Sequence, residues 1–267
     1  MRWPWKRAKR PKKVQTPDDQ MTLTEHLAEL RMRIIRATLA VLVGFIATLS
    51  FYNPLIDWLQ RPLGTICAQA VEFQCDATTY YFGPLEGFGT RISLASYGGF
   101  IIGLPVILWQ LWRFIVPGLH ARERRYAIPF IVSSVFLFVL GGVIAVWTLP
   151  QALNFLFQFA GDSTVPLLGT EKYVRLVALM IIAFGVGLEF PVLLVFLQLA
   201  GVLSYRTLLK QWRYAIVGIV LLAAVITPSG DPISLAALAV PMLISYFVAA
   251  LIGRRITRRR EAAAAAG

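Results

Sequence analysis

Residues 127–149 read AIPFIVSSVFLFVLGGVIAVWTL, twenty-three positions without one charged side chain. A helix rises 1.5 Å per residue and a hydrocarbon layer is about 30 Å thick, so this stretch is long enough to cross a membrane as one helix. A barrel strand would instead alternate apolar and polar residues over about ten positions, and residues 130–146 show no such alternation. Five further apolar runs lie around it, at 34–52, 92–112, 176–200, 214–226 and 233–252. Only 214–226, thirteen residues, falls clearly short of a full span. With 57% apolar and 15% charged residues in a chain of 267, the predicted fold class is an all-α integral membrane protein of six transmembrane helices.

The net charge of +12 suggests nucleic acid only if the basic residues decorate a soluble surface, and they do not. They sit between the apolar runs. Of the 26 lysines and arginines, only Arg61, Arg91, Lys172 and Arg175 fall on one side of the predicted membrane. The excess on the other side places both termini in the cytoplasm of a multi-pass protein of the plasma membrane, with no nucleic-acid partner. The expected organisation is a basic disordered segment at 1–20, a membrane domain at 21–253 and a basic tail at 254–267 attracted to anionic lipid. The first apolar run starts beyond residue 30 with no small-residue cleavage site after it, so it is read as a retained anchor rather than a signal peptide.

The first external segment carries Leu55, Ile56, Trp58 and Leu59 at helical spacing, which predicts a short interfacial helix. Tyr80 to Pro84 then predict an ordered cap. Cys67 and Cys75 lie in the same segment, where a disulfide and two unpaired thiols are both open readings. Neither has companion ligands at metal spacing, and neither do His26 and His120, so no metal or other cofactor is expected.

Inside the membrane the informative residues are the polar ones. A carboxylate at helix centre opposes insertion by about 2.5 to 3.5 kcal/mol, and Glu189 lies near the middle of the fourth run, followed by Phe190 and Pro191. Proline leaves a carbonyl without its helical donor, so the site is predicted to be polar and kinked. Pro105, Pro191 and Pro241 each fall near the middle of a run, predicting a curved bundle. Before the first run, Thr22 and Glu25 have capping-box spacing, and Leu23, Leu27, Leu30 and Ile34 form one apolar stripe. Glu25, Glu29, Arg33 and Arg36 gather opposite it, with Glu29 and Arg33 an i,i+4 pair; the residues alone predict a solvated face. The turn after the second run carries Phe114, Leu119, His120 and Glu123, the last its sole acid, set among Arg122, Arg124 and Arg125. Such a carboxylate can accept a bidentate guanidinium from another chain or be used up in an internal salt bridge.

Taken in order, these segments resemble the TatC family, the multi-spanning core of the twin-arginine protein translocase. The resemblance rests on His26-Leu27-Ala28-Glu29-Leu30-Arg31, Pro84-Leu85-Glu86-Gly87-Phe88, Phe114 to Leu119 followed by Glu123-Arg124-Arg125, Phe184-Gly185 through Glu189-Phe190-Pro191, and Thr227-Pro228 before Asp231. It implies a receptor for signal peptides with paired arginines, exporting folded proteins on the proton-motive force together with TatA and TatB subunits in an oligomeric assembly. Residues matching the family's signal-binding surface are Glu29, Arg31, Phe114, Leu119 and Glu123. Glu189 matches a contact for the partner subunits, and Pro62, Pro84, Glu86, Phe88, Pro105, Pro191 and Asp231 are assigned structural or external-loop roles. The chain departs from the commoner pattern at Ser229-Gly230, at apolar Leu235 and in its long basic amino terminus. It shows no Walker-type phosphate loop and no nucleophilic triad, so it is not expected to be an enzyme. The competing reading is a secondary transporter with Glu189 as coupling site, which calls for several polar residues converging at the midplane.

Overall fold

The computed structural model describes residues 23–69, 78–115, 127–160 and 167–265. Helices dominate: α1 (Leu23–Ser50), α2 (Tyr52–Gln69), α3 (Glu86–Ile115), α4 (Ala127–Ala160), α5 (Thr170–Gly187), α6 (Phe190–Leu199), α7 (Tyr205–Lys210), α8 (Trp212–Ile226) and α9 (Pro232–Ala265). Five stretches are long and apolar enough to cross a membrane: Leu27–Ser50, Glu86–Phe114, Ile128–Phe159, Thr170–Leu199 and Pro232–Arg258. The sixth, α8, has 15 residues and remains short of a span, as its run in the sequence implied.

The core is built around α5. Tyr173, Val174, Val177, Met180 and Phe184 are buried there, against α3, α4 and α9. Where the sequence suggested one kinked helix over 176–200, the structure has two, because α5 stops at Gly187 and α6 starts at Phe190. Leu188 and Glu189 form the turn between them, and Pro191 in the first turn of α6 has no N–H to extend the ladder backwards. At the other extreme, α9 runs on to Ala265, through most of the basic tail read at 254–267. Its arginines and alanines are strong helix formers, and lipid is not needed to hold them helical.

Helices α1 and α3 run in opposite directions along most of their length. Gly44 meets Gly99, Val41 meets Gly103, and Arg33 meets Gln110. The approach is close enough that a Cβ on Gly99 would lie 2.7 Å from the Phe45 nitrogen. Small residues let membrane helices pack backbone to backbone in this way, and Gly99 to Gly103 has the spacing that does so.

At the end of the bundle away from residue 33, α2 buries Tyr52, Ile56, Leu59, Leu63 and Ile66, alternating four and three residues apart. The helix is longer than the short interfacial one expected, and it carries Pro62 within it. Tyr80 pairs with the strand-like turn before α5, its N–H donating to the Leu168 carbonyl at 2.9 Å and its carbonyl accepting from Thr170 N–H at 3.0 Å. Thr79 Oγ1 joins Gln60 Nε2 (2.8 Å) to Thr170 Oγ1 (2.9 Å), and Tyr173 Oη donates to the Leu59 carbonyl. The expected cap is therefore present as a hydrogen-bonded link between α2, the segment before α3, and α5.

Candidate functional site

Two polar centres expected from the sequence, the start of α1 and Glu189, are joined in the structure through one tryptophan. The first centre forms where α1 begins and α3 ends. Arg33 Nη2 donates to Glu29 Oε1 in an ion pair one helical turn apart. Arg33 Nη1 donates to the Gln110 carbonyl on α3 at 3.3 Å, and the guanidinium carbon lies 5.9 Å from the centre of the Phe114 ring. That is within cation–π range. Arg33 is only 8% exposed, whereas a third of the Glu29 side chain remains accessible.

This corrects the expectation of a solvated charged face. Leu27 and Ile34, from the apolar stripe, are exposed, and Arg33 is turned in against α3. In lipid the apolar stripe of a helix has no reason to turn inward, while charge finds partners only inside the bundle. Arg31 is exposed, so of the expected signal-site residues the structure brings Glu29 and Phe114 together around Arg33. Leu119 and Glu123 lie outside the described residues.

The second centre is the break between α5 and α6. Glu189 N–H donates to the Val186 carbonyl at 3.0 Å, and its own carbonyl receives Leu193 N–H at 3.1 Å. Its side chain lies beside Ser134 of α4, while Oε1 is buried with no partner among the described residues. Ser134, itself fully buried, accepts a 2.8 Å hydrogen bond from Trp112 Nε1. Trp112 stacks on Phe130 at 5.3 Å and meets Phe196 edge-on at 5.4 Å. It stands two residues before Phe114. Two side chains thus separate Glu189 from the backbone of the first centre. The sequence reading missed Trp112, Ser134 and Gln110; the available signal was polar Ser134 inside the apolar stretch 127–149.

The remaining expected residues lie at helix starts, in turns and inside helices. Glu86 opens α3 and accepts from Phe82 N–H at 2.5 Å, Pro84 lies in the preceding turn, and Phe88 is exposed. Pro105 is inside α3 and Pro241 inside α9. Asp231, 1% exposed, precedes Pro232 and accepts from Ser234 N–H at 2.7 Å, the geometry of a helix N-cap. Burial pushes its carboxyl up, but the hydrogen bonds from Ser229 Oγ and Ser234 N–H prevail and hold it below the ordinary carboxylate range. Cys67 stands on α2, and Cys75 lies outside the described residues, so their pairing does too.

Comparison with known proteins covers nearly the whole chain. A family profile described as "Sec-independent protein translocase protein (TatC)" matches residues 25–241. A protein of that name from Frankia casuarinae is 38% identical over 255 residues, covering 91% of this chain and 70% of the relative. Its namesake from Synechocystis is 37% identical, covering 87% and 88%, and the chloroplastic protein of Arabidopsis thaliana is 37% identical, covering 88% and 67%. A crystal structure described as "Twin Arginine Translocase Receptor- TatC" superposes with a TM-score of 0.69 at 34% identity, covering 87% of this chain and all of that one.

Proposed function

Because the chain belongs to the TatC family of Sec-independent protein translocases, and is thereby a multi-pass component of the twin-arginine translocase, we propose that it is the receptor for twin-arginine signal peptides. One observation carries the reading: the end of the bundle formed by α1 and α3 already seats a guanidinium, using the Glu29 carboxylate, the Gln110 carbonyl and the face of Phe114. This is the chemistry an arginine pair requires, and a planar five-donor fork satisfies it better than an ammonium. Leu119 and Glu123, which follow α3 in the sequence, are further contacts for the signal in this reading.

That end is cytoplasmic in this reading. Arg31, Arg33, Arg36 and Arg113 lie there, as do Arg254, Arg255 and Arg258 at the far end of α9, and a positive excess of this kind faces the cytoplasm. Both termini share it, and residues 1–20 and 254–267 flank the membrane domain as basic segments. Glu189 serves the single-span TatA and TatB type subunits: its unpartnered Oε1 seeks a donor that a passing helix with a polar side chain supplies. Transport draws on the proton-motive force in an oligomeric assembly, without a cofactor or catalysis by this chain.

The test is capture of a labelled twin-arginine peptide by the protein in lipid nanodiscs. Glu29→Ala and Glu123→Ala are each expected to weaken capture about tenfold, the size of a charge-assisted hydrogen bond. Glu123→Ala should weaken the arginine-pair peptide more than its lysine-pair variant. No binding, or binding indifferent to both acids, overturns the proposal.

A further inference from the structure

The carboxylate offered to a guest arginine already holds one. Of the three arginines on α1, Arg31 and Arg36 are exposed and only Arg33 is buried. Two of its contacts, the Gln110 carbonyl and the Phe114 ring, do not involve Glu29, so the guanidinium keeps its place when the carboxylate turns elsewhere. We propose that Arg33 is a specificity-determining residue: a resident guanidinium that occupies Glu29 and yields it to a guest arginine but not to a guest lysine. The inference rests on the reading of Glu29 as a contact for the signal's arginines.

A bare carboxylate is a poor discriminator, since it attracts any cation. Glu29 is not bare. Arg33 stands one turn away on the same helix, so it competes at the high effective concentration of a tethered group. Its recorded contact uses one oxygen, Oε1, and a carboxylate has about four lone-pair sites. A guest guanidinium can therefore enter as a planar fork and share the group, while Arg33 retains part of its counter-charge. A guest ammonium is a compact, strongly hydrated point charge, and it gains a single contact while giving up its water. If it displaced Arg33 outright, a cation would be left buried beside α3 without its partner. The selectivity comes from this competition, and the aromatic face of Phe114 holds the competitor in register.

The experiment measures affinity for arginine-pair and lysine-pair versions of one signal peptide on full-length protein in nanodiscs. In Arg33→Gln the lysine-pair affinity should rise roughly fivefold relative to the arginine pair, the size of one partly exposed ion pair. An unchanged ratio, whether both affinities rise or both fall, overturns the proposal. Where Arg33→Gln fails to fold, Arg33→Lys is read in the same way, since it keeps the charge and removes the fork: a smaller preference for arginine supports the proposal and an unaltered one overturns it. A wild-type protein that captures the arginine peptide while Arg33 variants keep its preference sinks this inference alone. A wild type that captures neither peptide sinks the receptor reading as well.

Discussion

Glu189 has one carboxylate oxygen buried in an apolar bundle without a partner among the described residues, and its neighbours explain why the arrangement holds. Ser134 accepts from Trp112 Nε1 and lies beside the carboxylate, so one hydroxyl stands between two polar groups that would otherwise be buried alone. Ser134→Ala is expected to lower stability by about 1 kcal/mol, read as a reduced melting temperature in detergent. Adding Trp112→Phe should cost less in that background than in the wild type, because the orphaned indole N–H is then gone. Additive losses would show that the two groups are not coupled. Glu189→Ala should leave twin-arginine peptide capture largely intact and reduce co-purification of the single-span subunits; the reverse pattern would move the partner contact elsewhere. This pair of experiments also tests whether the Trp112 link matters. If capture changes with Ser134→Ala, the two centres communicate through it.

At the scale of helices, packing is decided by the positions with least side chain. A Cβ on Gly99 meets backbone atoms of α1, whereas one on Gly218 of α8 meets nothing within 4 Å. Gly99→Ala is therefore expected to destabilise by about 1 to 3 kcal/mol through overpacking, and Gly218→Ala to be neutral or stabilising by up to about 1 kcal/mol through helix propensity. Thermal unfolding in detergent compares the two. The start of α9 depends on Asp231 in a comparable way, with Asp231→Ala expected to cost about 1 kcal/mol and Asp231→Asn less, since an amide still caps. The carboxyl is depressed in the folded state, so its stabilisation is present above the unfolded value of about 3.9 and disappears as pH falls through the lower folded value. A series of melts from pH 6 down to pH 2 should therefore show a steeper decline for the wild type than for Asp231→Asn. Equal slopes would mean the cap contributes no titrating stability. These features divide what sequence made legible from what it did not. The long runs stood out because hydrocarbon thickness dictates their length. The inward turn of Arg33 did not, because periodicity identifies two faces of α1 without saying which meets protein. The α5–α6 break was half visible: Glu189 and Pro191 marked the place, but a kink and a two-residue turn leave the same trace in sequence. Gly99 and Gly103 were present throughout, and their meaning required knowing that α1 lies across them.

Over the whole molecule the unequal lengths of the helices bear on the bilayer. On one side stand α1 and α3, with spans of 24 and 29 residues. On another stands α8, with 15 residues, or roughly 22 Å at 1.5 Å per residue, against a hydrocarbon layer of about 30 Å. Among the described residues little protein shields this mismatch: only Ile219 and Ala223 of α8 are buried, and Tyr214, Val217, Leu221 and Val225 are exposed. A short helix in contact with lipid is accommodated by thinning, by snorkelling of its flanking residues or by association with other helices. Trp212 and Arg213 at one end can reach only a few Å, so thinning of the adjacent leaflets is the expected response. Such a region would lower the barrier to moving folded cargo past this face. In nanodiscs imaged by electron cryomicroscopy, the two headgroup layers should approach one another by several Å beside α8 and keep their normal separation beside α1. Four extra leucines after Leu221 should restore the spacing and reduce transport while leaving signal-peptide capture unchanged. Uniform thickness around the unaltered protein would remove the bilayer from the mechanism and leave the shortness of α8 as a matter of its packing on α9.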